Sequence, residues 1–474
     1  MAAAAVAVIA CNKENVEQNN PTPATSDGVV TFTAGFDALE EPAPGTRTNL
    51  AQNEARQYTK MVWSAGDVIG VVDKNGKVQP FTTEAGGATA IFKGAAEAPE
   101  STWYAFYPYN VQAEVVSPNA DPTLNISIPE VQFAKKDGVS DNVTTLVGSC
   151  SVEGNSIMFT HVCGFVQINA PEGCVSVTLE LPEANENEGI TGGVGTKFYK
   201  WGTYSTKIRY RSVTLVSQEG MAAGNYYIAV KPIKYTGKVR ITMHHKDGSV
   251  FVKEASKLSV GAGEVLPVNI TGISWSADKE INLFTGAESD KLSNLEPPFE
   301  CSITKVTDEK LIAPESVRWA FDTDIKSQWA GYLGFNGSNV DLADYVKDYA
   351  LEYYIKCNLA AVTNIDKNPD PANKIISAYE LYTHSFNEQW DDKSWGVMSP
   401  RCTGDTYSGI GDTGWHRISI PLDKVLTTSV GTTLKRIQMK PIFSGTPSLE
   451  ALKTYEGHEF YINNLRIVRI TPTE

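Results

Sequence analysis

At 474 residues, with 42% hydrophobic and 20% charged residues, the chain has a globular composition that argues against global disorder and fibrous architectures. Its length suggests about three domains at roughly 150 residues each. A net charge of −14 disfavours a nucleic-acid partner, because phosphate binding needs a surplus of Lys and Arg. Aromatic residues reach 10%, and 38 Gly and 24 Pro supply turns, so short strands with many reversals are expected.

Residues 1–10 are an apolar run ending at Cys11. As a helix they would rise only about 15 Å, half of a hydrocarbon core, so they are read as a secretory signal rather than a membrane span. Val8-Ile9-Ala10-Cys11 resembles the lipobox of bacterial lipoproteins. The resemblance implies cleavage before Cys11, a diacylglycerol on its thiol, and attachment to the outer membrane at the cell surface. Residues 11–27 are polar and predict a disordered tether. The six other cysteines are dispersed and contain no CxxC, so neither a zinc ribbon nor a redox dithiol is indicated. They read as possible disulfide partners of an exported protein or as buried free thiols.

From Gly28 the pattern is strand after strand. Val29, Thr31 and Thr33 alternate with Val30, Phe32 and Ala34, and Asp67–Asp73 meets Lys77–Phe81 across Asn75-Gly76, a strong hairpin signal. Val239, Ile241 and Met243 mark one face of a strand that turns at Asp247-Gly248. No helical stripe longer than about ten residues precedes residue 275, so this region is expected to be mostly β.

Thr46-Arg47-Thr48, Val62-Trp63-Ser64-Ala65-Gly66-Asp67, Ala90-Ile91-Phe92-Lys93-Gly94 and Tyr104–Tyr109 occur in order. Phe159-Thr160-His161, Tyr226–Pro232, Ala262-Gly263-Glu264 and Leu266–Ile270 follow. The series resembles the fimbrillin family of Bacteroides-type surface proteins. It implies two β-sandwich domains over 28–140 and 141–272. On physical grounds Trp63 and the Tyr104–Tyr109 cluster read as core aromatics that build the fold, and Gly66-Asp67 as a turn.

Trp275 is followed by a polar stretch that includes Glu296-Pro297-Pro298, either a linker or the first edge of a third domain. With Ile281–Phe284 read as a strand, the third domain, 275–474, is set to open near Trp275 and holds six of the nine tryptophans. Strands are predicted over Val317–Phe321, Leu351–Ile355, Ile375–Tyr382, Ile418–Leu422 and Glu459–Ile470, the last with a bulge at Asn463-Asn464. Gly414–Leu422 followed by Glu459–Ile467 resembles the closing half of a jelly-roll carbohydrate-binding module. The fold class expected overall is all-β: tandem fimbrillin-like sandwiches followed by a jelly-roll sandwich.

HExxH, GxSxG and GxxxxGK[ST] do not occur, and Gly192–Lys197 lacks the strand-to-helix context of a phosphate cradle. His244 and His245 are strand neighbours expected on opposite faces, and the six histidines show no metal-ligand spacing. No cofactor, metal or catalytic residue is therefore assigned, and the chain is read as a non-enzyme. The aromatic and polar stretches of the third domain offer a different chemistry. Sugar rings present apolar C–H faces and hydroxyl rims, which suit flat aromatic platforms edged by hydrogen-bonding groups. Trp390 and Trp395 enclose Asp391 and Asp392, and Trp329, Tyr332, Tyr382, His384, Asn387 and Arg401 complete the candidate glycan site. The alternative is that these rings pack the sandwich, the reading preferred for Trp319 and Trp415. The expectation is a lipid-anchored surface protein binding a polysaccharide, a β-glucan among the candidates, for a TonB-dependent importer and companion lipoproteins. A fimbrial accessory or tip adhesin subunit is the alternative.

Overall fold

The computed structural model describes residues 29–36, 57–58, 62–109, 114–116, 122–143, 146–184, 188–198, 203–268, 270, 272–276, 279–327, 331–358, 381–386, 397–398, 414–426, 432–442, 449, 453 and 456–472. The fold is all-β, as expected; Leu422–Val425 forms a single α-helical turn. No helix among the described residues is long and apolar enough to cross a membrane.

The first unit is a seven-stranded sheet that closes on itself. Its order is Val29–Phe36, Ser156–His161, Leu146–Ser151, Thr102–Tyr107, Val68–Val72, Val78–Thr83 and Ala90–Ala95, which returns to the first strand. Alternation explains the interior: Val30, Phe32 and Ala34 are buried while Val29 and Thr33 are exposed. Trp63 lies in this core against Phe36, Phe92, Tyr107 and Phe159, and its indole N–H donates to the Ala34 carbonyl at 3.0 Å. Asn75-Gly76 makes the expected turn, Gly76 taking a φ of 77° that a side chain would resist.

The first two units do not part at residue 140. Thr123–Ile128 and Val131–Phe133, before it, pair with Thr191–Lys197 and Ser212–Met221 of the second unit. Leu146–Ser151 and Ser156–His161, after it, complete the first sheet. The chain thus crosses between units more than once, and a shared core containing Phe106, Leu124, Val147, Phe165 and Val194 joins them. Gly192–Lys197, inside a strand, is sheet and not a phosphate loop.

In the second unit, Val166, Ile168, Val177, Leu179, Leu215, Ile228, Ile241 and Met243 fill the space between two sheets. Trp275 packs on this core and over His245, with ring centroids 5.2 Å apart. The third sandwich therefore opens at Ile281–Phe284 and not at Trp275.

The third unit is a two-sheet sandwich. One sheet runs Cys301–Val306, Ser316–Phe321, Glu459–Arg469, Tyr349–Cys357 and His416–Pro421, with Ile281–Phe284 also paired to Glu459–Arg469. The other runs Asn294–Leu295, Leu333–Asp341, Thr433–Ile442, Leu381–Phe386 and Val397–Met398. Trp319, Phe335, Tyr353, Ile437, Phe460, Ile462, Leu465 and Ile467 lie in the core between them. The register slips by one residue between Glu352 and Tyr354 opposite Asn463-Asn464, where Asn464 has a φ of 58°. The bulge is held by Asn463, whose buried amide bonds Ile312 N at 3.1 Å, Ala313 N at 3.0 Å and Ser316 Oγ at 3.0 Å. Cys163, Cys174, Cys301 and Cys357 are buried and Cys150 is half-buried; Cys402 lies outside the described residues.

Two buried histidines set a pH response. Burial pushes the His161 imidazole down to about 4, and burial, then Arg466, pushes His244 down as well. An unfolded histidine titrates near 6.5, so the unfolded chain takes up protons first as pH falls. For His161 the contribution to stability is complete above about pH 6.5 and is lost on the way to about pH 4. For His161 the loss by about pH 4.5 is about 2–3 kcal/mol. Thermal melts across this range should show a steeper fall for the wild type than for His161→Phe. Parallel curves would show that His161 is not the group responsible.

Candidate ligand-binding site

Which face of the third unit can meet a ligand is decided by how it joins the second. Ser176, Thr178, Thr214, Thr242 and His244 alternate with core residues on their strands, yet all are buried. They lie beneath the six-stranded sheet of the third unit, which presents Glu352, Arg417 and Arg466 to them. Arg417 Nε donates to Glu352 Oε2 at 2.6 Å, and Arg466 Nη2 donates to Glu352 Oε1 at 2.7 Å. Arg466 Nη1 continues to Glu280 Oε2 at 2.6 Å, and Arg417 Nη1 stands 3.8 Å from Glu180 Oε1 of the second unit. His244 Nδ1, also of the second unit, lies 3.3 Å from the same Glu280 oxygen.

Burial alone would raise the Glu352 carboxyl, but Arg417 and Arg466 overcome burial and hold it well below the usual carboxylate range. Beside this network Glu130 accepts from Ser212 Oγ at 2.6 Å and lies 3.3 Å from His416 Nδ1. Val131, Val216, Leu311, Tyr354 and Trp415 form an apolar patch alongside. Trp415 is buried as expected, but between the units rather than inside the sandwich. The outer face of the six-stranded sheet is therefore occupied.

The outer face of the five-stranded sheet has a different content. Register sets Gln438 opposite Gly334 and Ser385, and Arg436 opposite Asn336. Glu296, immediately after the edge strand, turns its carboxylate over Gly334, where a Cβ would lie 2.4 Å from Oε2; only a glycine leaves that space. One carboxylate oxygen accepts from Arg436 Nε at 2.8 Å and also from Nη2. The other accepts from Gln438 Nε2 at 2.7 Å. The Glu296 side chain is 3% exposed and that of Arg436 is 23%, so a buried anion fixes a cation that reaches solvent. Asn336 and Tyr332 are half-buried neighbours, the Tyr332 hydroxyl donating to the Pro297 carbonyl at 3.1 Å.

Of the residues expected to form a glycan site, Tyr332 is therefore at this face. Tyr382 and His384 lie on the strand Leu381–Phe386, opposite Pro441 and Met439 respectively. Trp329, Asn387, Trp390, Asp391, Asp392, Trp395 and Arg401 lie outside the described residues, as does Cys11. By connectivity, residues 387–396 join Leu381–Phe386 to its antiparallel neighbour Val397–Met398 at one edge of this sheet. Glu296, Arg436 and Gln438 were not anticipated. The only trace of them in the sequence is a charge or amide set between apolar residues, as in Lys435-Arg436-Ile437-Gln438-Met439. Among the described residues no group of His, Cys, Asp and Glu side chains is arranged to hold a metal.

No family model matches the chain, and no curated protein matches it. Several solved structures are similar. A family 30 carbohydrate-binding module of a cellulosomal cellulase from Clostridium thermocellum is 11% identical, covering 40% of this chain and 97% of its own, at a TM-score of 0.21. A provisionally described cell adhesion protein from Bacteroides uniformis is 17% identical, with 53% and 97% covered and a TM-score of 0.28. A tandem of family 22 carbohydrate-binding modules from Paenibacillus barcinonensis is 9% identical, with 87% and 100% covered and a TM-score of 0.25. At such low TM-scores these likenesses carry no argument about function.

The joint between the units is testable. Removing one partner from a buried ion pair strands the other charge, so Glu352→Gln should cost roughly 3–5 kcal/mol. The double variant Glu352→Leu/Arg417→Leu leaves Arg466 with Glu280 and should recover much of that loss. Thermal and denaturant melts of the three proteins decide it; a single variant as stable as wild type would show that Glu352 does not secure the joint.

Proposed function

We propose that the chain is a cell-surface lipoprotein that binds a polysaccharide through its C-terminal sandwich and presents it to an outer-membrane uptake system. The observation that carries this reading is the division of labour between the faces of that sandwich. The six-stranded sheet is committed to the second unit, whereas the five-stranded sheet carries an oriented, partly exposed arginine. Trp390, Asp391, Asp392 and Trp395, which in sequence fall between Leu381–Phe386 and Val397–Met398, would add the aromatic platforms. Oriented hydrogen-bonding groups beside aromatic rings are what a sugar polymer requires. The first two units would act as a spacer. Cys11, after the apolar run, would carry the lipid; the family's multiple acyl chains meet the need for two or more for stable anchoring. The importer would be of the TonB-dependent class. The role is capture without cleavage, since no catalytic motif accompanies the site.

Titration calorimetry and thermal melts of the full chain test the binding half. Trp390→Ala and Trp395→Ala should each weaken binding of a captured polysaccharide at least about tenfold, since losing a central aromatic contact costs on the order of 2 kcal/mol. Their melting temperatures should hold. Destabilised variants, or stable ones that bind as well as wild type, would remove these rings from the site.

The anchoring half has its own test. Cys11→Ala should move the protein from membrane to soluble fractions of expressing cells. Retention of that variant in the membrane would defeat the lipid anchor.

A further inference from the structure

We propose that Arg436, oriented by Glu296, contacts the ligand directly, and that the ligand is a neutral glycan rather than an anionic one; this rests on the glycan-binding reading above. The geometry supplies the first half. Nε and Nη2 of Arg436 are both committed to one oxygen of Glu296. The second oxygen is committed to Gln438, so the carboxylate is satisfied on the side of the sheet. Nη1 takes part in none of these bonds, and the Arg436 side chain is the most exposed member of the cluster. A guanidinium fixed along one edge offers its remaining donors in a set direction and has little rotamer freedom left to lose on binding.

Charge supplies the second half. The full positive charge of Arg436 is matched at contact distance by a carboxylate that is almost wholly buried. An anionic polymer would therefore meet a compensated cation on a chain of net charge −14. Hydroxyl and ring oxygens of a neutral sugar need only an aimed donor and gain nothing from net charge. Asn336 beside Arg436 donates one amide N–H to the same Glu296 oxygen at 3.5 Å, and its amide carbonyl can accept from a sugar hydroxyl.

The test is affinity electrophoresis of the full chain. The neutral gels contain β-1,3-glucan, mixed-linkage β-glucan, glucomannan or xyloglucan; the anionic gels contain alginate, polygalacturonate or chondroitin sulfate. The expected result is retardation by at least one neutral polymer. It should change less than twofold between about 20 and about 200 mM NaCl, a range over which screening would suppress a charge-driven interaction. Arg436→Ala and Arg436→Lys should both weaken that binding at least about tenfold, the lysine because it keeps the charge but lacks the rigid fork. Melts identify folded variants; Arg436→Lys serves if the alanine variant does not fold.

Salt-sensitive retardation by anionic gels alone would preserve glycan binding but overturn the neutral class. Unchanged neutral binding by a folded Arg436 variant would overturn the contact. Absence of retardation in every gel would overturn the glycan reading and this inference with it.

Discussion

Everything about the C-terminal half depends on where Glu352 sits. It is a carboxylate with no exposure, in the middle of a strand, facing another domain. Such a charge survives only if its partners are fixed and close, because desolvation of a lone ion costs several kcal/mol. Arg417 and Arg466 satisfy that condition from the strands on either side, with nitrogens at 2.6 and 2.7 Å. The arginines are bound in turn to Glu280 and directed towards Glu180. Greasy surfaces can slide over one another, but a buried ion network has one register. The second and third units are thereby held in one relative placement.

The network also determines which surface remains for recognition. A two-sheet sandwich has two outer faces, and this one spends its six-stranded face on the joint. The five-stranded face uses the same physical device to a different end. Glu296, like Glu352, is a buried carboxylate between strands, and it too holds an arginine by two nitrogens. The difference is exposure: Arg466 is 1% exposed, whereas Arg436 is 23% exposed. One arrangement closes an interface and the other leaves a donor edge in solvent. Gly334 makes the second arrangement possible, because any side chain there would displace the carboxylate that orients Arg436.

How much of this was legible in the sequence follows from the range of the interactions involved. Val239, Ile241 and Met243 announce a core face by period two, and they occupy one. Trp63 reads as core and is core; the doubled asparagine at 463–464 reads as a bulge and is one. These features depend on local alternation. The boundary near 140 was not legible, because the strands that cross it choose partners far along the chain. The interdomain face was hidden for a related reason. Ser176, Thr178, Thr214 and Thr242 sit where solvent-facing residues belong in an alternating strand, and nothing local says that another domain covers them. Glu296-Pro297-Pro298 similarly read as linker or domain edge, whereas Glu296 is the anchor of the candidate face. The tryptophan-rich stretch 387–396 lies outside the described residues.

These separations fit the proposed role of capture. Polysaccharide chains are long, and much of their binding free energy is spent on ordering. A receptor gains affinity when its own groups are ordered beforehand. Here the ordering operates at two scales. Glu296 removes the rotational freedom of the arginine that would meet a sugar, and the Glu352 network removes the rotational freedom of the domain that carries it. Loosening the first would blur the direction of a hydrogen bond while leaving the fold intact. Loosening the second would let the whole face swing against the second unit. It would also expose Ser176, Thr178 and Thr242 together with Glu352, Arg417 and Arg466, all now buried. The joint therefore ties recognition to stability: the strands that would present a ligand belong to a sandwich whose opposite face is finished only when the second unit is packed against it. A C-terminal unit cut free of the second would keep Arg436 and Glu296 but lose the cover over Glu352, so the second unit is a structural part of the third.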